Sequence, residues 1–372
     1  MRLFFVIWSG TMRGMKKKEK IVVGMSGGVD STVSLLLLKE WGYEPLGISL
    51  KLPIWEGNKD CYRENPCCSD ESLEMARSVC EKAGITHEIV DAKTVFCENV
   101  VNYFIDQYNR EHTPNPCVIC NRHLKYPQLF AVAHSLGIKK VATGHYAQTY
   151  NNKTTTELRI PKDRKKDQTY NLSFLIQDQV ANIVFPLGNY LKTEVYKIAE
   201  SYGYKEFYMK HKQSEDFCYV SGKELHAFLE TRIGQKRGNI TDENGKILGT
   251  HTGAYQYTIG QRKGIRLAGG PFYVYDIKDN TIFVTKNEEL LSTKKFRITP
   301  YNFISDFAPS SSLKVNAKIR YQQSLENALI VPGNNEYHVI FDKPQRAVTK
   351  GQLCALYIKN TCIGGGIIDT NA

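Results

Sequence analysis

Apolar runs of four or five residues alternate with stretches of helical spacing through the first part of the chain. Ile21–Met25 reads as a fully buried strand. Thr32–Trp41 is apolar on nearly every side and stops before Gly42, which predicts a buried helix. Leu46–Leu50, Thr86–Val90 and Lys140–Thr143 are further strands. Helices are predicted from a Ser69 cap to Ala83, from Val95 to Tyr108 and from Lys125 to Leu136. Strands separated by helices predict an α/β fold, a doubly wound parallel sheet whose ligands sit beyond the carboxyl ends of the strands.

The pattern changes near residue 222. After one more helix, Gly222–Thr231, the chain turns to short alternating runs: Phe272–Asp276, Thr281–Thr285, Val315–Tyr321, Glu336–Phe341 and Leu353–Ile358, with a loop at Pro309. The division expected is 1–222 for a nucleotide-handling domain, 223–290 for a small β-rich central domain and 291–372 for a C-terminal β-barrel. Residues 1–20 fit none of these. MRLFFVIWSG has no basic residues leading into it and no small-residue cleavage site, and translation starting at Met15 is the simpler expectation.

Composition adds two constraints. A net charge of +11 favours a phosphate-rich partner. No apolar run is long enough for a membrane span. Ten irregularly spaced cysteines and no convincing export signal point to a reducing, cytoplasmic setting, where each thiol is buried, metal-bound or reactive. Cys80, Cys97, Cys354 and Cys362 read as core. Cys61, Cys67 and Cys68 sit in a polar insertion, read as a loop ahead of a metal site.

Two constellations carry chemistry. Ser26-Gly27-Gly28-Val29-Asp30-Ser31 lies between the first strand and first helix, where glycines admit close approach and amides meet a phosphate. It lacks the lysine of the common P-loop and resembles the SGGxDS loop of enzymes that split ATP between its α- and β-phosphates. Asp30 could orient the loop or hold a metal, and Gly144-His145 would line the same edge. The second is Cys117-Val-Ile-Cys120 after Thr113-Pro-Asn-Pro, with Cys218 far along the chain. Half a zinc site, a redox pair and a reactive Cys120 facing Cys218 all remain open. Arg122, His123 and Lys125 would lower the Cys120 thiol pKa.

Together with GMSGGVDS (24–31) and TPNPCVICN (113–121), the segments TGHYA (143–147), KDQTY (166–170), SEDFCY (214–219), YTIGQRKG (257–264), RYQQ (320–323), AVTKGQ (347–352) and GGGII (364–368) closely resemble the tRNA-specific 2-thiouridylases of bacteria and organelles. The resemblance implies an adenine nucleotide alpha hydrolase-like fold. It implies ATP and Mg²⁺, adenylation of the C2 oxygen of a wobble uridine, and sulfur carried as a persulfide on Cys218, loaded by a donor protein and released with the help of Cys120. By the same matching Gly24, Met25, Ser26, Gly27, Gly28, Val29, Asp30, Ser31, Leu50 and Gly144 would contact ATP. Asn115, Pro116 and Cys117 would meet the base. His145, Lys166, Asp167, Gln168, Arg320, Tyr321 and Gln352 would touch tRNA. Cys117 departs from the aspartate common in that family, so Cys117, Cys120 and Cys218 could instead hold a [4Fe-4S] cluster.

Overall fold

The structure is a computed structural model that describes residues 18–53, 55, 70–204, 219–220, 224–306 and 308–369. Cys218, the cysteines at 61, 67 and 68, Ser69 and the first 17 residues lie outside the described residues.

β1 (Lys20–Gly24), β2 (Glu44–Lys51), β3 (His87–Asp91), β4 (Lys140–Ala142) and β7 (Ile183–Val184) form one parallel sheet in the order β3-β2-β1-β4-β7. The alternation of β1 decides which helices cover each face. Ile21 and Val23 bury against α1 (Val29–Glu40), α2 (Asp70–Lys82) and α9 (Lys192–Ser201). Val22 buries on the opposite face, with α6 (Tyr126–Ser135) and α8 (Gln177–Asn182). Strand order reverses between β1 and β4, so a crevice opens beyond their carboxyl ends. The loops leaving those two strands are Gly24–Gly28 and Thr143–Ala147.

Two helical stretches carry wide i→i+5 turns. Lys93–Phe96 (α3) runs through Cys97–Val101 into Asn102–Asn109 (α4). Pro116–Cys120 (α5) runs through Asn121–Lys125 into α6. The helix expected to start at Lys125 therefore starts at Pro116: Pro is favoured in a first helical turn, and Asn115 caps it.

After the helix Leu225–Ile233, four strands, β8 (Gly238–Thr241), β9 (Ile247–His251), β10 (Tyr273–Lys278) and β11 (Thr281–Thr285), surround their own apolar core. A barrel follows: β12 (Ser292–Phe303), β13 (Leu313–Lys318), β14 (Glu326–Pro332), β15 (Tyr337–Arg346), β16 (Leu353–Ile358) and β17 (Thr361–Asp369). β12 closes it, pairing with β15 through its first half and with β17 through its second.

The barrel does not keep to one stretch of sequence. The hairpin β5 (Gln148–Asn151) and β6 (Thr156–Arg159) leaves the parallel sheet and adds to β17, Thr361 opposite Arg159. A buried polar network reinforces the joint. Lys318 Nζ lies 2.9 Å from Asp167 Oδ2, with their side chains 5% and 9% exposed. Tyr170 donates to the carbonyls of Ile319 and Leu353 at 3.1 and 2.8 Å, and Thr169 shares a hydrogen bond with Tyr357. Val22 of β1 and Leu353 and Tyr357 of the barrel belong to one apolar core.

Cys80, Cys354 and Cys362 are buried, as expected of core thiols, and burial pushes each thiol up, Cys80 and Cys362 to about 12. Cys97, expected in the core, is half-buried on its wide turn. No helix among the described residues is long and apolar enough to cross a membrane.

Candidate active site

The Ser26–Ser31 loop is held open by its own polar groups. Ser31 Oγ accepts from the Ser26 amide at 3.2 Å and donates to the Gly28 carbonyl at 3.0 Å. Met25, 4% exposed, pins the loop root: its amide donates to Ile48, and its carbonyl accepts from Ser49 Oγ. Gly27 has φ +72°, and a Cβ there would lie 2.3 Å from the Ser72 carbonyl oxygen on α2. Gly144 lies against the first turn of α1, where a Cβ would meet the Asp30 carbonyl carbon and the Ser31 amide at 2.7 Å. Val29 and Ser31 are buried, and Leu50 is half-buried at the end of β2.

Gly27→Ala should weaken nucleotide binding at least about tenfold while the chain stays folded. The left-handed conformation alone costs a non-glycine residue roughly 1–2 kcal/mol, and the contact with Ser72 falls on backbone, which cannot rotate away. Equilibrium nucleotide titration checks this; unchanged affinity refutes it.

The loop's own sequence has no lysine, and the structure supplies one. Lys192, at the start of α9, reaches Asp30 Oδ1 at 2.6 Å, and Tyr146 donates to the same oxygen at 3.0 Å. A charged residue on the buried side of a helix start was the available signal, but its partner lies 162 residues away.

The second half of the site is built by segments from all three regions converging on TPNPC. Asn115 Oδ1 caps α5, accepting from the Cys117 and Val118 amides, and its amide group donates to Asn171. Gln352 Nε2 donates to the Thr113 and Pro114 carbonyls, and the Thr113 amide donates to Lys350. Thr258 shares a hydrogen bond with Thr113. Cys117 is exposed in the first turn of α5, the positive end of that helical stretch, and Cys120 is 8% exposed one turn later. Pro116 is buried.

Cys120 shares an apolar core with Phe96, Tyr219, Val220 and Phe228. The Tyr219 ring stands 5.7 Å from Phe96 and 5.5 Å from Phe228. The basic cluster expected around Cys120 is weaker than the sequence implies. Arg122 Nη1 donates to Gln179 at 3.2 Å, and burial, then Arg122, holds His123 below its usual range, so its ring is neutral at pH 7.

His145 Nδ1 lies 2.8 Å from Thr143 Oγ1 and 3.1 Å from the Tyr126 hydroxyl. Burial, with Lys125 adding to it, pushes the imidazole well below its ordinary value. Burial is also the first cause lowering His87, His112 and His251. These five of the nine histidines resist protonation when folded, so the unfolded chain binds more protons below about pH 6.5 and stability must fall on acidification through that value. Thermal unfolding at pH 7.5 and 5.5 checks it; a transition temperature that does not drop refutes it.

Three expected RNA contacts have structural uses. Asp167 is sealed in the ion pair with Lys318. Gln168 Oε1 accepts from the Tyr146 amide at 2.7 Å, and Gln352 clamps the TPNP turn. Arg320 and Tyr321 lie in the bend after β13, outside the strand expected there. Arg320 is exposed and donates to the Ala347 carbonyl, and Tyr321 meets the Tyr170 ring edge-on at 6.3 Å. Lys166 is half-buried in a short turn. Among the described residues no three His, Cys, Asp or Glu side chains converge as a metal would require.

Three family profiles match the chain: "tRNA methyl transferase HUP domain" over residues 19–222, "tRNA methyl transferase PRC-barrel domain" over 226–286, and "Aminomethyltransferase beta-barrel domain" over 293–368. The solved U34-tRNA thiolase NcsA from Methanococcus maripaludis with its [4Fe-4S] cluster covers 59% of this chain and 66% of its own, at 20% identity and TM-score 0.34, too distant to bear on the chemistry here. The tRNA-specific 2-thiouridylase MnmA 2 of Clostridium tetani is 40% identical over 95% of this chain and 99% of its own. MnmA 1 of Caldanaerobacter subterraneus is 39% identical over the same shares. With that identity along nearly the whole of both chains, this chain belongs to the tRNA-specific 2-thiouridylase family.

Proposed function

We propose that this enzyme thiolates C2 of the wobble uridine of tRNA in the cytoplasm, in three regions divided near residues 222 and 290. ATP is spent to make a poor leaving group a good one. The glycine loop and the start of α1 receive the phosphates, the C2 oxygen attacks the α-phosphate, and pyrophosphate leaves. Asp30, the loop's carboxylate, would hold the magnesium that accompanies ATP, which would screen phosphate charge. His145, neutral and fixed by Thr143 and Tyr126, and Asn115 at the head of α5 line the approach of the base. Lys166, Arg320 and Tyr321 contribute to the RNA surface.

The sulfur step follows from the cysteines. A donor protein loads Cys218 as a persulfide, whose terminal sulfur attacks C2 and expels AMP. The Cys120 thiolate then attacks Cys218 Sγ. The bond from Sγ to the transferred sulfur breaks, the sulfur stays on the base, and a Cys120–Cys218 disulfide forms, to be reset by a thiol reductant. The observation that carries this reading is that Tyr219, bonded to Cys218 in the chain, packs in the same apolar core as Cys120.

Incubation with undermodified tRNA, ATP, Mg²⁺ and a persulfide source should yield thiolated uridine together with AMP and pyrophosphate. Release of AMP without thiolated base points to a different adenylating ligase, and tRNA binding without ATP turnover to a binding protein. A second arrangement of the sulfur chemistry has one specific support: Cys117 and Cys120 lie three residues apart on α5, a spacing that makes two positions neighbours on a helix surface. With Cys218 they would hold a [4Fe-4S] cluster, which would supply an open iron to bind sulfide. Iron analysis of anaerobically purified protein separates the two, and iron-free, fully active protein removes the cluster.

A further inference from the structure

Lys192 is placed at some cost to the fold. Its residue is 8% exposed, and an ammonium taken from water is repaid only by good partners. Among the described residues Asp30 is its one hydrogen-bond acceptor, so one of three N–H donors is used. Its nitrogen also lies 4.9 Å from the centre of the Tyr196 ring and 5.8 Å from that of Tyr146, aromatic faces that favour a cation in a dry site. The backbone fixes the root of the side chain, the Lys192 amide donating to Asp163 Oδ2 at 2.9 Å. Burial is the first cause holding the ammonium below its ordinary range, with Asp30 pulling the other way.

The position gives this expense a purpose. Asp30 belongs to the first turn of α1, directly after the glycine loop, so the ammonium stands at the mouth of the phosphate cradle. The loop itself, Ser26–Ser31, carries serines and amides and no cationic side chain. Asp30, the loop's carboxylate, is meanwhile neutralised by the lysine. ATP with its magnesium offers each an alternative partner: phosphate oxygens for the lysine and a cation for the aspartate.

We propose that Lys192 is the phosphate-binding cation of this enzyme: it rests on Asp30 when the site is empty, passes to the β- and γ-phosphates when ATP binds, and so releases Asp30 to the magnesium. The exchange is an ion-pair swap with no net change of charge inside the site. It rests on the nucleotide reading of the loop and adds to it a residue from the far side of the domain.

The test is a metal-free titration of the full chain with adenosine, AMP and ATP, which sets aside any effect of Asp30 on magnesium. Lys192→Gln should weaken ATP binding about 10- to 100-fold, as loss of a charge-assisted hydrogen bond does, and leave AMP and adenosine within about threefold. Asp30→Asn should strengthen metal-free ATP binding, because it frees the lysine and removes a like charge. Equal losses of AMP and ATP in Lys192→Gln, or no loss of either, overturn the proposal. Should Lys192→Gln not fold, Asp30→Asn/Lys192→Gln, whose pair is neutral, is compared with Asp30→Asn by the same criterion. A wild-type chain that binds none of the three nucleotides overturns the nucleotide reading itself, and the lysine's role with it.

Discussion

Cys120→Ser is expected to stop thiouridine formation by at least ~10³-fold while tRNA-dependent pyrophosphate release continues. The substitution exchanges a sulfur for a smaller oxygen at a site 8% exposed, so the packing around Phe96 and Phe228 survives. Adenylation draws on the glycine loop, Gly144 and Asp30, whereas Cys120 packs in the apolar core of Phe96 and Phe228. The alcohol cannot form the disulfide that lets the transferred sulfur leave Cys218. A stalled adduct of tRNA and protein should therefore accumulate, visible on a denaturing gel without reductant and released by added dithiol. If Cys120→Ser turns over normally, the two-cysteine account is wrong. If it also loses pyrophosphate release, Cys120 acts at or before adenylation rather than in the release of sulfur.

Lys318→Met carries the largest expected effect on stability. Lys318 and Asp167 are buried together, and Asp167 also accepts from the Thr169 hydroxyl and amide at 2.6 and 2.9 Å. Removing the lysine strands a carboxylate at the joint between the parallel sheet and the barrel, which costs about 3–5 kcal/mol. The Asp167→Asn/Lys318→Met pair should recover most of that loss, because no uncompensated charge remains. The urea midpoints of wild type, single and double variants test this. A single variant as stable as wild type contradicts the claim that this pair ties the two units together.

What the sequence made legible follows from range. Strands with complete burial, such as Ile21–Val23, and the glycine loop advertise themselves in a few residues, and β11 and β16 fall at their expected bounds. Strands β5, β6, β7, β8, β9, β12, β14 and β17 have no counterpart among the expected strands. β12 bends and serves two partners, which blurs its alternation. β17 carries three consecutive glycines, which hide its strand pattern and let it pack closely: a Cβ at Gly366 would lie 2.6 Å from Ile298 Cβ. The β5–β6 hairpin could not be assigned to the barrel because nothing local tells an edge strand which sheet it will join. Asp167, Gln168 and Gln352 hold other segments in place, whereas Lys192, which no motif flagged, stands at the nucleotide loop.

The central claim is that Cys120 and Cys218 exchange bonds as sulfur passes to the base. The direct measurement is a single turnover: protein preloaded with persulfide, excess tRNA and ATP, no reductant, quenched by alkylation and read by mass spectrometry of both products. One thiouridine should appear for each peptide pair linked through Cys120 and Cys218, with the same time course. Thiouridine formed at full yield while both cysteines are recovered alkylated and unlinked would contradict it.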